Sequence, residues 1–138
     1  MDDFLSSEIE EDKKADIKRR PFSIWKVGED EYKLKLTAAN IAKLEDRFKK
    51  NLLIMVSDEG LPALSTMLMI IQAAMLPFNH NIKQIEVFDI FDKYVEEGGD
   101  QQKLLADVIF PVLSVSGFFT ESQSEDMKEK VKELDSPL

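Results

Sequence analysis

Cysteine is absent from the 138 residues, and histidine occurs once, as His80. The absence of cysteine excludes disulfide bonds, thiolate catalysis and zinc sites built from thiolates. It also favours an intracellular protein, because disulfides persist in oxidising compartments. Zinc needs several protein ligands, usually histidine or cysteine, so a single histidine disfavours any zinc site.

Long apolar runs are also missing. The most apolar segment, residues 64–76 (LSTMLMIIQAAML), is too short to span a bilayer and is interrupted by Ser65, Thr66 and Gln72. The chain begins MDDFLSSEIEEDKK, which is acidic where a secretory signal would be basic, and no apolar run follows. We therefore predict a soluble cytoplasmic protein with no membrane partner.

Positive charge is scarce, with 18 Lys and Arg against 27 Asp and Glu and a net charge of −9. This charge argues against general affinity for nucleic acid or anionic membranes. One basic cluster is of the kind that contacts nucleic acid: Lys13, Lys14, Lys18, Arg19 and Arg20. Acidic residues precede it and no aromatic residues interleave with it, so we interpret it as a solvated arm.

The common catalytic motifs are absent as well: the sequence has no GxGxxG, P-loop, GxSxG or HExxH pattern. We therefore predict that the protein is not an enzyme and uses no cofactor or metal.

The apolar content of 43% is sufficient for a packed core in a single domain. We predict three parts: a charged, disordered arm at 1–20, a globular domain at 21–120, and a polar tail at 121–138 with a weak helix near 124–134. The predicted fold class is mainly α, a small bundle of about four helices with one N-terminal β-hairpin and flexible polar termini.

The hairpin is predicted at 22–36, where Tyr32, Leu34 and Leu36 alternate with lysines at the period of a half-buried strand. Thr37 is a suitable N-cap for the first helix, which carries Ile41, Leu44 and Phe48 on one face. Residues 57–62 (SDEGLP) then indicate a loop.

Three further helices are predicted. The second runs from about 62 to 76, with Pro62 in its first turn. The third spans 82–96, with Asn79 or Asn81 as a capping residue and Gly98 ending it. The fourth starts near Gln101, and Pro111 is expected to kink or end it.

Residues 75–100 hold His80 and six carboxylates: Glu86, Asp89, Asp92, Glu96, Glu97 and Asp100. A calcium loop at 89–100 is disfavoured, because Ile, Phe and Tyr stand where oxygen ligands or the turn glycine are needed. On a helix, Glu86, Asp89, Lys93 and Glu96 form one polar stripe. We interpret these carboxylates as the solvated face of a bundle helix.

The second and third helices are apolar around most of their circumference, which suggests that some of this surface binds a partner or another copy of the chain. A well-filled core is the alternative explanation. The candidate partner-binding residues are Met67, Ile71, Met75, Phe88, Phe91, Phe118 and Phe119.

The order of segments resembles the tail assembly chaperones of long-tailed phages and prophages of Gram-positive bacteria. The resemblance covers residues 22–119. It rests on YKLKLT followed by Leu44–Glu45, on FNH at 78–80, on DIFDKYVEEGG at 89–99 and on SGFF at 116–119. The acidic start at 1–20 does not match the family pattern.

This resemblance implies a chaperone that binds the tape measure protein, oligomerises on it and is displaced when the tail tube polymerises. The tail tube protein would be a second partner, recruited through a longer form made by translational frameshifting. The protein would act in the host bacterial cytoplasm and be absent from the mature virion. Two alternatives stay open: a structural virion or head–tail connector protein, and a small regulator that binds nucleic acid through Lys13–Arg20.

Overall fold

The computed structural model describes residues 20–57 and 60–118 of the chain. These ranges are mainly helical and begin with one antiparallel hairpin, which confirms the predicted fold class. None of their helices is long and apolar enough to cross a membrane. The predicted arm at 1–20, except for Arg20, and the predicted tail at 121–138 lie outside the described residues.

The hairpin pairs β1 (Ser23–Val27) with β2 (Asp30–Leu34) through a two-residue turn. Gly28 opens this turn with a φ of +62°, a conformation that glycine adopts without a Cβ penalty. The side chains of Trp25 and Leu34 point into the core and are fully buried. The hairpin predicted at 22–36 is thus confirmed.

The first helix, α1 (Ala38–Phe48), begins as predicted. The Thr37 hydroxyl accepts a hydrogen bond from the backbone N–H of Asn40 at 3.2 Å, which satisfies one donor of the first turn. Leu44 is buried on its inner face, and the helix ends at Lys49, whose φ is +57°.

A second, short helix, α2 (Leu52–Ser57), was not predicted from the sequence. Two side chains cap its start. The Glu45 carboxylate on α1 accepts from the Leu52 N–H at 2.7 Å, and the Asn51 carbonyl oxygen accepts from the Leu53 N–H at 2.9 Å. Glu45 therefore ties the two helices together.

The third helix, α3 (Leu64–Met75), matches the one predicted at 62–76, but Pro62 precedes its N-cap, Ala63, and is not in its first turn. The helix is the centre of the fold. Its buried residues are Met67, Leu68, Ile70, Ile71, Ala73, Ala74 and Met75.

The fourth helix, α4 (Gln84–Glu96), starts later than predicted. Its N-cap is Lys83, whose N–H donates to the Glu86 carboxylate at 3.4 Å. Asn79 and Asn81 lie exposed in the preceding turn and do not cap the helix, which corrects the prediction.

The end of α4 is confirmed at Gly98, whose φ of +99° suits glycine. The Gly98 N–H donates to the Val95 carbonyl at 3.0 Å, and the Gly99 N–H donates to the Tyr94 carbonyl at 2.9 Å. This pattern closes the last turn of the helix and satisfies its free carbonyls.

The last helical segment runs without a break through α5 (Gln101–Leu104), a π-helical turn (Leu105–Ile109) and α6 (Phe110–Val115). In a regular α-helix the ring of Pro111 would clash with the carbonyl of Asp107. The wider π turn immediately before the proline relieves that clash. Pro111 therefore changes the helical form and does not end the helix.

Two hydrogen bonds join the end of this segment to the exit of the hairpin, and a third joins that exit to α3. Lys35 Nζ donates to the Val115 carbonyl at 2.9 Å, and the Leu36 N–H donates to Ser116 Oγ at 3.0 Å. The Lys35 N–H donates to the Ala74 carbonyl at 2.9 Å, which brings in the last turn of α3.

The core forms around α3, which contacts α1, α4, β2 and the π turn. The hairpin joins it through Trp25, whose ring meets the Tyr94 ring edge-on with centroids 5.5 Å apart. Such aromatic pairs stabilise beyond their buried area, so the hairpin and α4 are held to each other as well as to α3.

Candidate partner-binding site

Three of the predicted partner-binding residues, Met67, Ile71 and Met75, lie on α3 and are at most 2% exposed. They are covered because α3 has neighbours on several sides. These side chains belong to the core and form no exposed surface, which corrects the expectation from the sequence.

The other candidates are distributed differently. Phe91 on α4 is 7% exposed and packs into the core, whereas Phe88, one turn earlier, is half-buried. Phe118 is also half-buried and packs against the core, and Phe119 lies outside the described residues. Of the candidates among the described residues, Phe88 and Phe91 are the pair that lines one surface groove.

Sequence reasoning missed the apolar residues that are most exposed. They include Ile85, which is 61% exposed, and Val95, which is 46% exposed, both on α4. The apolar side chains of α4 occupy more of its circumference than the neighbouring elements cover. Ile85 and Val95 lie on the uncovered part. The remaining exposed large apolar residues are Ile24, Ile54, Leu61 and Phe78.

The exposed edge of α4 forms a stripe, because Ile85, Phe88, Asp92 and Val95 follow one another at steps of three, four and three residues. We call these four residues the α4 stripe. The predicted polar stripe lies beside it, and all four of its members are exposed: Glu86, Asp89, Lys93 and Glu96. Lys93 reaches across to Asp30 of the hairpin at 3.6 Å.

A cavity of about 250 Å³ opens between α3 and α4 and is here called the α3–α4 groove. Its lining is formed by Leu64, Ser65, Leu68, Phe88, Phe91 and Asp92. Leu68 and Phe91 form a buried floor, and the polar groups of Ser65 and Asp92 stand at exposed positions. An enclosed apolar cavity of about 150 Å³ holds a benzene molecule, so this groove has room for apolar side chains of a partner.

A second cavity, of about 230 Å³, lies on the other side of the first turn of α3. It is lined by Phe48, Lys50, Met55, Pro62, Ala63 and Thr66. Its walls come from α1, α2 and the segment before α3, and its lining is more polar. None of the predicted partner-binding residues lines it.

The carboxylates around His80 do not converge. Among residues 20–57 and 60–118, no three His, Asp or Glu side chains are grouped so that they could hold a metal ion. His80 lies exposed in the turn before α4, and the acidic residues of α4 are exposed.

Two tyrosines have perturbed acidities. Burial, followed by the charges of Asp107 and Asp100, raises the pKa of Tyr94 to about 12. Burial, followed by the charge of Asp30, also raises the pKa of Tyr32. Both phenols therefore remain protonated at neutral pH and act as packing groups between the hairpin and α4.

The best-formed binding feature is thus the largely apolar α3–α4 groove, bordered by the α4 stripe, whose residues other than Asp92 are apolar. Comparison with known proteins adds a family. Neither a curated protein nor a solved structure matches the chain significantly. One family model matches residues 17–136, which is most of the chain, and its description is a family of unknown function. The protein therefore belongs to the DUF6096 family.

Proposed function

We propose that this protein is a tail assembly chaperone of a long-tailed phage or prophage, which binds the tape measure protein and keeps it soluble during tail assembly. The sequence resemblance over residues 22–119 supports this proposal. The structural observation that carries it is the α3–α4 groove with the α4 stripe beside it.

The groove suits an amphipathic helix as a client. Such a helix presents apolar side chains at positions i, i+3 or i+4 and i+7, and these insert into an apolar groove of a partner. Ile85 and Val95 lie ten residues apart on α4, which corresponds to about 15 Å. A client helix lying along α4 could therefore contact this surface over about three turns, with Phe88 and the groove near the middle.

Binding of a single copy through a surface of this size is expected to be weak. Weak binding fits a chaperone that must later be displaced from its client. Many copies on one long client would give strong overall binding through high effective concentration. The net charge of −9 would keep the coated client soluble. Copies would contact one another on the client, and tail tube polymerisation would displace them. A longer frameshifted form would recruit the tail tube protein.

The decisive experiment is co-expression with the tape measure protein of the same genome, followed by fractionation and mass measurement of the soluble complex. The client should be insoluble alone and soluble with many copies of this chain. The variant Ile85→Asp with Val95→Asp should lose the client while keeping its fold, because both side chains are exposed.

A control is Ile54→Asp, which changes an apolar side chain of similar exposure on α2, outside the α4 stripe. It should keep the client soluble. If the double variant on α4 solubilises the client as well as the control does, the α4 stripe is not part of the client site. A client that stays insoluble with the unmodified chain, or purified particles that contain this chain at fixed stoichiometry, would refute the chaperone function and favour a structural virion protein.

A further inference from the structure

The outer side of the hairpin carries an exposed apolar patch. Ile24 points away from the buried Trp25, because successive residues of a strand alternate between its two sides. The ring of Phe78, in the turn after α3, meets the ring of Phe22 edge-on with centroids 5.8 Å apart. Ile24 is 48% exposed and Phe78 is 44% exposed. Together with Lys33, which stands opposite Ile24 in the hairpin, these residues form what we call the hairpin face: Phe22, Ile24, Lys33 and Phe78.

The single charge of the hairpin face is positive. Lys33 Nζ lies 4.8 Å from the centroid of the Phe22 ring and 5.9 Å from that of Phe78, so aromatic rings hold the ammonium group in place. Lys33 forms no ion pair with any residue in 20–57 or 60–118. The acidic residue on the same side of the hairpin, Glu31, stands opposite Lys26. The ammonium group of Lys33 is therefore available to a carboxylate from outside the chain.

The α4 stripe has the same composition with the opposite charge. It also consists of three apolar residues and one charged residue, Asp92, which is exposed between Phe88 and Val95. Asp92 has no ion-pair partner in the described part of the chain, since the neighbouring Lys93 pairs with Asp30. The whole of α4 carries four acidic residues against one lysine, so the potential around the stripe is negative. The hairpin face and the α4 stripe are therefore complementary in charge as well as in apolar character.

The two surfaces also match in size, and neither covers the other within one chain. Phe22 and Ile24 lie about 7 Å apart along the strand, and the ring of Phe78 adds to the breadth of the face. The α4 stripe is about 15 Å long. Both surfaces are open in the single chain, where Ile85 is 61% exposed and Val95 is 46% exposed. A second copy of the chain can cover both kinds of surface at once.

From these observations we propose that the hairpin face of one copy docks on the α4 stripe of a second copy. Lys33 of the first copy pairs with Asp92 of the second, and the apolar residues of the two surfaces pack around that pair. Because the two surfaces differ, the contact is head-to-tail, and each copy can use both surfaces to build a chain or a ring of copies. A contact of this size is weak and reversible.

This contact needs no client and therefore does not rest on the proposed function. If both hold, a client helix and the hairpin face of another copy compete for the same α4 stripe. Binding of the client would then disperse the assembly that the free chain forms.

The test is sedimentation equilibrium of the full chain over a wide range of concentration, without any client. The hairpin variant combines Ile24→Thr with Lys33→Glu, and the stripe variant combines Ile85→Asp with Val95→Asp. The matched control repeats the substitutions of the hairpin variant at exposed residues of α1 and α2 outside both surfaces, as Lys43→Glu with Ile54→Thr. All three variants make the net charge more negative by the same amount, so general repulsion between copies is equal.

The unmodified chain and the control should associate with the same Kd. The hairpin variant and the stripe variant should each raise the Kd by roughly tenfold or more, because each spoils one of the two surfaces. An equimolar mixture of these two variants should form a dimer with one copy of each and no larger species. Only one intact hairpin face and one intact α4 stripe are then available to each pair.

Should circular dichroism show that a double variant is unfolded, two single charge reversals decide. Lys33→Glu and Asp92→Lys should each weaken association, because like charges then meet across the contact. Their equimolar mixture should restore it, because the reversed charges attract each other again.

An unmodified chain that stays monomeric at every concentration would overturn the proposal. So would a control that weakens association as much as the hairpin variant does, since charge alone would then be the cause. If the hairpin variant and the stripe variant both weaken association but their mixture forms no dimer, the two surfaces do not bind each other and the proposal is wrong. Failure to keep a client soluble would concern only the proposed function, because no client is present in this experiment.

Discussion

The turn after α4 allows a sharp test of the packing, because Gly99 lies against the ring of Tyr94. A Cβ atom at Gly99 would stand 2.4 Å from Tyr94 Cε2 and 2.5 Å from Cδ2, well inside van der Waals contact. Gly99 is not among the residues with positive φ, so Gly99→Ala leaves the backbone relaxed and isolates the clash.

The ring has little freedom to move away. It packs edge-on against Trp25 with centroids 5.5 Å apart and lies 6.1 Å from the ring of Phe91. Displacing it by about 1 Å should cost about 1–3 kcal/mol of unfolding free energy, as for other overpacked sites. For a chain of this length, that loss lowers Tm by roughly 4–12 °C.

A double-mutant cycle with denaturant unfolding separates the clash from other causes. With Tyr94→Ala in the background, Gly99→Ala should cost almost nothing, because the ring that it strikes is gone. Gly98→Ala is the control: no atom lies within 4 Å of its added Cβ, and its cost of about 1–2 kcal/mol comes from a φ of +99°. That cost should be the same with or without the ring. An equal cost for Gly99→Ala in both backgrounds would refute the reasoning.

Two further outcomes follow from the contacts that close the fold. Ser116→Ala removes the acceptor of the buried Leu36 N–H and should lower the free energy of unfolding by about 1–3 kcal/mol, measured by denaturant unfolding. Ser116→Thr keeps a hydroxyl and should retain most of this stability. An unchanged unfolding midpoint for Ser116→Ala would contradict the reasoning. In the folded protein the pKa of Tyr94 is raised to about 12, and that of Tyr32 is also raised above the ordinary value of 10.0. The stability that these protonated phenols contribute is therefore fully present below about pH 10 and falls as the pH rises from about 10 towards 12. Tyr94→Phe should flatten that fall in alkaline unfolding curves, and an equally steep fall would show that other groups cause it.

Short sequence patterns correctly predicted the elements that depend only on residues close to one another in the chain. The alternation of Tyr32 and Leu34 with lysines predicted the hairpin, and Thr37 and Gly98 predicted helix boundaries that depend only on neighbouring backbone groups. The short helix α2 was missed because part of its cap comes from Glu45, seven residues before Leu52. Such a contact forms only after the chain has turned back on itself.

The candidate site was harder to predict for a geometric reason. The sequence showed that α3 and α4 are apolar on most sides, but periodicity alone does not say which side a neighbour covers. The prediction placed three residues of the surface on α3, which is the central helix, and they are buried. The uncovered side belongs to α4, where Ile85 and Val95 were not among the candidate residues.

The hydrogen bonds between the hairpin exit and the last helical segment also determine where residues 1–19 and 119–138 are attached to the domain. Ser23 lies opposite Leu34 in the hairpin, and the residues just after Leu34 are bonded to Val115 and Ser116. Residues 1–19 and 119–138 therefore join the domain at the same pole. The other pole is formed by the hairpin turn and the end of α4, where Gly28 lies close to Lys93 and Lys93 pairs with Asp30. A carrier or reporter fused directly at residue 20 or residue 118 would therefore be attached at the pole opposite the hairpin turn.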